Sequence, residues 1–357
     1  MKIELKSYEI QKNLYLIRNP HSFFGFNSYI LTIENEKEKV NLVFDPLPLK
    51  CFKEYVSMIN DIIGIENIDI IYVNHQDPDL TSSVPGLLDL APKAILLTSQ
   101  DTWRLVMGYG INDDRYQPIE LIPNKKLYFG DEYIQFVPTP FCHFRGATAV
   151  YYPKLRVLFS GDLFGGATTK KEEGIYANSE SWIGIKLFHE VYMPTKEALK
   201  LAIDNIGRLD PIPEMILPQH GDAIRGDLII DIFKKLNEIE VGLEYIRRQQ
   251  QDEFLYIKVF NDMLDYAKKR FGADFTLNLL QKISPQITNF PDIFKIENGV
   301  ITEIFVPPTT AFVFTYNLFT EGLSEKDKED IRLESIRIFS KYNLEPPEEL
   351  LRETQRI

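Results

Sequence analysis

The chain is short of cysteine, of histidine, of positive charge and of long apolar runs, and each shortage excludes something. Its 357 residues hold two cysteines, Cys51 and Cys142, too few for a disulfide framework. The opening residues MKIELKSYEI lack the apolar core of a secretion signal, so a cytoplasmic location is expected. Forty Lys and Arg against 52 Asp and Glu leave a net charge of -12, which disfavours a phosphate backbone or an anionic membrane surface as a partner. No apolar run approaches the roughly 18 residues that span a bilayer. Neither nucleic acid nor membrane is therefore an expected partner. What remains, with 44% hydrophobic residues, is a folded chain long enough for one large core or two modest ones.

Up to about residue 225, short β-rich runs recur between Pro, Gly and charged stretches: Tyr29-Ile33, Asn41-Phe44, Ile68-Val73, Ala94-Thr98, Tyr133-Val137, Ala149-Tyr152, Arg156-Phe159 and Met215-Leu217. Helical patterns over Ser82-Leu90 and Thr195-Asn205 lie between them, which predicts an α/β protein with helices on the sheet faces. From residue 227 the texture changes. Ile229, Ile232, Phe233, Leu236, Ile239, Leu243 and Ile246 repeat at three and four, and Ile257, Phe260, Leu264, Ala267 and Phe271 do the same. These predict two long amphipathic helices separated by the polar stretch RRQQQDE. Their stripes pack on the first domain or on each other, with a homodimer contact as the alternative. Strand-like sequence returns at Val300-Val306 and Ala311-Tyr316, Ser324 with Glu325 and Asp327 opens an acidic helix, and the polar tail Glu345-Ile357 is expected to be peripheral. The predicted division is residues 1–226 as one domain and 227–357 as a mainly helical extension with a short strand-like segment.

Of five histidines, three fall at ends of predicted strands beside carboxylates or glycines, in NHQDPD, PFCHFRG and LPQHG. Strand ends are where α/β folds place sites. In Asn74-His75-Gln76-Asp77-Pro78-Asp79, alternate residues of an extended turn project to one side, aiming an imidazole and two carboxylates into one pocket. Asp-Pro-Asp by itself is ordinary turn chemistry. Asp162 adds weight: it follows the apolar strand Arg156-Phe159, framed as Ser160-Gly161-Asp162 with Gly165 and Gly166 beyond. A carboxylate at such a strand end can bridge two cations, and two cations relieve the repulsion among three clustered carboxylates. His21 and His189 are read as ordinary polar histidines outside this cluster, and Cys142 as structural.

With these residues in view, the sequence resembles the metallo-β-lactamase superfamily, and within it the di-iron branch of flavodiiron proteins and related oxygen-binding di-iron proteins. The branch has the pattern His-x-Glu-x-Asp-His, then His, Asp and His. Here His75, Asp77 and Asp79 match the first cluster, His143 follows His75 by 68 positions, Asp162 lies 19 further on and His220 another 58. Asn27-Ser28-Tyr29, Val43-Phe44-Asp45 and Thr81-Ser82-Ser83-Val84-Pro85 agree with the branch as well, and the resemblance spans roughly residues 10 to 225. It implies an αββα sandwich in which His75, Asp77 and His143 bind one iron, Asp79 and His220 a second, and Asp162 bridges them. Two positions depart from the pattern: Asp77 replaces Glu, one methylene shorter, and Leu80 replaces the second consecutive histidine, so the second ion has fewer protein donors. Extra hard oxygen donors favour iron over zinc, with manganese as an alternative.

The resemblance implies a protein that binds or senses O2. Flavodiiron proteins reduce O2 or NO with electrons from an FMN held in a flavodoxin-like domain, and the helical patterns after residue 227 offer no phosphate-binding loop for FMN. No FMN is therefore expected in this chain, and reduction of O2 or NO calls for an external electron-transfer protein. A signalling protein is the corresponding partner of a sensor. The rival reading is a hydrolase in which a metal-bound hydroxide attacks an ester, lactone or thioester, the role of most superfamily members; Asp77 and Leu80 stand against it.

Overall fold

The computed structural model describes residues 4–19, 25–167, 174–283, 293–347 and 350. Among them, the apolar runs form two mixed sheets. The first contains β1 (Lys6–Gln11), β2 (Leu14–Arg18), β3 (Asn27–Glu34), β4 (Lys39–Phe44), β5 (Ile70–Tyr72), β6 (Ile95–Thr98) and β7 (Tyr116–Pro118), side by side in chain order. Its first pairs are antiparallel hairpins, and the pairs from β4 onward are parallel. Helices fill the crossovers: α1 (Phe52–Ile62), the short α2 (Pro78–Thr81), α3 (Val84–Leu90) and α4 (Gln100–Val106). The second sheet runs β13-β12-β11-β10-β9-β8, from β8 (Lys126–Phe129), β9 (Glu132–Pro138), β10 (Thr148–Tyr152) and β11 (Val157–Gly161) to β12 (Met215–Pro218) and β13 (Ile224–Arg225). The parallel step from β11 to β12 encloses α5 (Ser181–Tyr192) and α6 (Lys196–Gly207), the latter capped by the Thr195 hydroxyl.

Alternation along each strand decides what lies between the sheets. Leu14 and Leu16, Tyr29 and Leu31, Leu42 and Phe44 point inward from the first sheet, meeting Phe136, Val150, Val157 and Phe159 from the second. Phe44 stacks on Phe159 across this interface with centroids 3.9 Å apart and planes 3° from parallel. Each such buried aromatic contributes about 1.5–3 kcal/mol by leaving water. The intervening residues point outward: Ile17, Ile30, Val43 and Ile71 pack under α1 and α3, while Ala149, Leu158 and Ile216 pack under α5, α6 and α7 (Asp227–Glu238). Two sheets covered by helices on both outer faces make a metallo-β-lactamase-type αββα sandwich, the predicted α/β class.

The chain divides into two compact units, Met1–Glu244 and Tyr245–Ile357. The helix α7, expected as the start of the extension, buries Ile229, Ile232 and Leu236 in the core of the first unit. Two local expectations are corrected. RRQQQDE does not separate helices: it lies inside α8 (Gly242–Phe271), because Arg, Gln and Glu are good helix formers whether or not one face is apolar. The break comes instead at Ile239–Val241, before Gly242 with φ +50, and Leu243 and Ile246 are exposed rather than continuing the buried stripe. Ala311-Tyr316 is not a strand but part of α10 (Pro308–Thr320), where Pro308 stands at the first turn and Ala311, Phe312, Thr315 and Phe319 share the buried side. A short apolar run reads equally well in either period.

The second unit holds most of α8, α9 (Ala273–Ile283), the hairpin of β14 (Phe294–Glu297) and β15 (Val300–Ile304), α10, and α11 (Glu325–Lys341). Its core is aromatic: Phe260 meets Phe294 edge-on at 4.9 Å, and Phe312 meets Phe339 at the same distance. Ser324 caps α11 as its sequence predicts. In the tail, Leu350 is buried in this core, a correction to its expected peripheral place, while 351–357 lie outside the described residues, as does His21. No helix among the described residues is long and apolar enough to cross a membrane.

Candidate metal centre

The six residues singled out from the sequence converge from four separate strand ends. His75, Asp77 and Asp79 follow β5, with Asp79 on the first turn of α2; His143 stands between β9 and β10; Asp162 follows β11 and His220 follows β12. Around Asp162 they sort into two groups. One carboxylate oxygen, Oδ2, lies 3.6 Å from His75 Nε2 and 3.0 Å from His143 Nε2, and Asp77 Oδ2 closes that group at 3.7 and 3.2 Å from the same two nitrogens. The other oxygen, Oδ1, lies 3.5 Å from His220 Nε2, which is 3.2 Å from Asp79 Oδ2.

Around His75 and His143 the contacts converge without forming well-aligned hydrogen bonds. His75 Nε2, His143 Nε2 and Asp162 Oδ1 are buried with no hydrogen-bond partner, although burying such atoms unsatisfied is costly. His75, His143 and Asp162 present ligand atoms all within 4.8 Å of one another, a donor set that fits a hard or borderline cation.

The surrounding groups aim these atoms. Asn74 Nδ2 donates to the Thr148 carbonyl, which leaves Asn74 Oδ1 to accept from His75 Nδ1 at 3.1 Å and turns Nε2 inward. The Asn74 amide donates to Asp45 Oδ1, and burial raises the Asp45 carboxyl to about 7 despite that bond. His220 Nδ1 donates to the Gly25 carbonyl, again turning Nε2 toward the pocket. The loop carrying His220 is clamped from β2 and β3: buried Arg18 pairs with Asp222 at 3.0 Å, Asn27 donates to the carbonyls of Pro218 and Gly221, and Tyr29 donates to that of Pro218. Phe26 and Phe188 flank His220 with ring centroids at 5.7 and 5.5 Å, making that side apolar. Leu80, one residue beyond Asp79, is fully buried in the core beneath α1 and α3.

Gly161 shows how tightly the set is built. Its φ is +61, and a Cβ there would meet the Asn74 side chain at 2.2 Å. Gly161→Ala is therefore expected to cost about 1–3 kcal/mol in urea unfolding, as overpacked sites do, and to turn the His75 ring by displacing Asn74. An unchanged midpoint would contradict that packing.

Electrostatics reflect the crowding. Burial opposes charge on His143 and His220, yet neighbouring Asp162 and Asp77 hold His143 up at about 10, and Asp162 and Asp79 hold His220 at about 9. Burial likewise opposes ionisation of Asp162, but His75, His220 and His143 bring it down to about 2. Cys142 is buried in the core under α5, and burial pushes its thiol up to about 12, so it is no thiolate. His189 stands outside the cluster, on α5, buried and hydrogen-bonded to backbone. Sequence reasoning did not assign roles to Asn74, Arg18, Phe26 or Phe188. Their local motifs carry no mark, because Thr148, Asp222 and His220, against which they are set, lie far along the chain.

Fold and centre together define a metallo-β-lactamase-type domain with a histidine and carboxylate cluster at its strand ends. A family model described as ODP family beta lactamase matches residues 24–221, more than half of the chain, and the chain belongs to that family. An uncharacterized protein of Methanocaldococcus jannaschii is 27% identical over 220 residues, covering 60% of this chain and 52% of its own. The chain spans between half and three-fifths of the length of the first curated relatives it matches. Among solved structures, the peroxy diiron species of chemotaxis sensor ODP aligns over 69% of this chain and 99% of its own, at 23% identity and a TM-score of 0.56. The rubredoxin:oxygen oxidoreductase of Desulfovibrio gigas aligns over 65% and 61%, at 19% identity and a TM-score of 0.57. At these identities the structural likeness speaks for the fold.

Proposed function

We propose that this chain is a di-iron protein that binds or senses O2, with His75, Asp77 and His143 as ligands of one ion, Asp79 and His220 of the other, and Asp162 bridging. The observation that carries the reading is the Asp162 carboxylate, which offers one oxygen to each of two histidine and carboxylate groups. The buried, unpartnered nitrogens and oxygen of this cluster fit cations as their missing partners. Three carboxylates with three imidazoles suit iron better than zinc, with manganese as an alternative. The solved relatives described as a peroxy diiron sensor and an oxygen oxidoreductase support the same choice.

Two ferrous ions, when bound, supply the electrons and open positions that O2 binding requires. The protein's part is to orient and to enclose. Asn74 and the Gly25 carbonyl hold His75 and His220 in the orientation that turns Nε2 toward the pocket. Asp162 balances positive charge on both sides. Phe26 and Phe188 keep water from the His220 side and make it hospitable to an apolar diatomic molecule. Reduction of O2 or NO through repeated cycles requires electrons from a separate protein, and sensing requires a separate signalling protein. We assign this chemistry to the N-terminal domain begun at residue 1; the packing of α7 supports drawing its boundary nearer Glu244 than 226.

The test is anaerobic loading with Fe(II), metal analysis, and admission of O2 while near-ultraviolet and visible absorption is followed. Two irons per chain and an O2-dependent absorption change are expected. Zinc as the tightly held metal, with turnover of a thioester or lactone, would overturn the reading in favour of a hydrolase. A further expectation concerns pH: His143 and His220 carry protons at neutrality, and a cation must displace them. Metal binding is expected to release protons and to strengthen as pH rises toward 9, on the order of tenfold per unit for each proton released. Titration calorimetry in buffers of differing ionisation enthalpy measures this; pH-independent affinity would contradict it.

A further inference from the structure

The turn that carries Asp162 has an unusual composition. Gly165 N donates to the Asp162 carbonyl at 2.8 Å, closing a four-residue turn with Phe164 in its third position at φ +68. That position of a turn with positive φ ordinarily takes glycine or asparagine, since a side chain is strained there. Phe164 is nevertheless fully buried, its ring stacked on Phe233 with centroids 5.1 Å apart. Its amide is held by His189, on α5, whose Nε2 accepts from Phe164 N at 3.0 Å. The other ring nitrogen, Nδ1, lies 2.7 Å from the Ile185 carbonyl, which can only accept, so Nδ1 carries the hydrogen and Nε2 the lone pair. Both ring nitrogens are thus spent on backbone, and His189 is fully buried, which holds its pKa down to about 4 and keeps it neutral. The same turn continues into Gly166, whose amide donates to the His220 carbonyl at 3.3 Å, and Gly221 packs so close to Gly166 that a Cβ there would meet its carbonyl at 2.8 Å.

We propose that His189 is a positioning residue of the metal centre: by accepting the Phe164 amide hydrogen it sets the strained turn that aims the Asp162 carboxylate between the two ligand groups and keeps it in register with His220. The proposal rests on the two-ion reading above and is testable apart from it. The probe is Mn(II), followed by binding titration and electron paramagnetic resonance, in which a carboxylate-bridged pair gives an exchange-coupled spectrum and separate ions give isolated six-line signals. His189→Leu keeps the bulk and removes the acceptor; His189→Gln places an amide oxygen near the lost Nε2. Wild type is expected to show the coupled spectrum. His189→Leu is expected to lose it and to bind the second ion more weakly, on the order of tenfold or more, with His189→Gln restoring both. Coupling and affinity unchanged in His189→Leu, or His189→Gln as impaired as His189→Leu, would overturn the proposal. Should His189→Leu not fold, His189→Gln decides alone: a retained coupled spectrum supports the role and a lost one refutes it. Failure of the wild-type protein to bind a coupled pair would instead refute the two-ion reading, and the proposal with it.

Discussion

Asp162→Ala is expected to reduce bound iron from two ions per chain to at most one. Asp162 supplies one oxygen to the His75 and His143 group and the other to the His220 group, so its removal takes a donor from both. The first group keeps two imidazoles and Asp77, a usable set of three; the second is left with Asp79 and His220. Loss of a supporting partner behind a ligand typically costs 10–100-fold in affinity, and loss of the bridging ligand itself is expected to exceed about a hundredfold for the second ion. Metal analysis after gel filtration reads the stoichiometry directly. Two irons retained per chain would show that Asp162 does not bridge.

Leu80→His carries the second large effect, and its sign depends on metal. Leu80 is fully buried, so exchanging it for imidazole forfeits about 1.5–3 kcal/mol of apolar burial and adds a polar group without an assured partner. The metal-free variant is therefore expected to be less stable by roughly 2–4 kcal/mol. The resemblance implies a ligand histidine at this position, and an imidazole that turns from the core toward Asp79 and His220 would add a donor to that group. The variant should therefore regain more stability on metal loading than wild type does and release its second ion more slowly, by at least about tenfold. Thermal melts with and without metal, and the rate of ion loss to a chelator, measure both. A variant that melts and releases metal like wild type would show that position 80 does not reach the second ion.

The site was legible in the sequence because its residue types are scarce and oddly placed. Five histidines leave few candidates, and three stand at the ends of apolar runs beside carboxylates or glycines. The α/β class was legible for a related reason: β-rich runs such as Tyr29-Ile33 and Asn41-Phe44, with helical patterns between them, are written into neighbouring residues, while the αββα layering was implied by the family resemblance. Where neighbours carry an ambiguous pattern, the reading failed. Ala311-Tyr316 suits a strand or a helix, and the burial of Phe312 and Phe319 in the aromatic core of the second unit selects the helix. RRQQQDE breaks an amphipathic pattern without breaking a helix, since propensity and amphipathicity are separate properties.

The sequence by itself determined which six side chains stand at strand ends and that their chemistry suits cations; the family resemblance marked Leu80 as standing where the branch has a histidine. Tertiary structure alone decided how those six divide, with Asp162 turned so that each oxygen faces a different group. It also decided what aims them: Asn74 against Thr148 across the two sheets, Arg18 against Asp222 across some two hundred residues, and His189 beneath the turn at Phe164. The physical reason is range. Backbone period and residue type act over a few neighbours, whereas the direction of a buried carboxylate is set by hydrogen bonds to groups that are neighbours only once the sheets have packed.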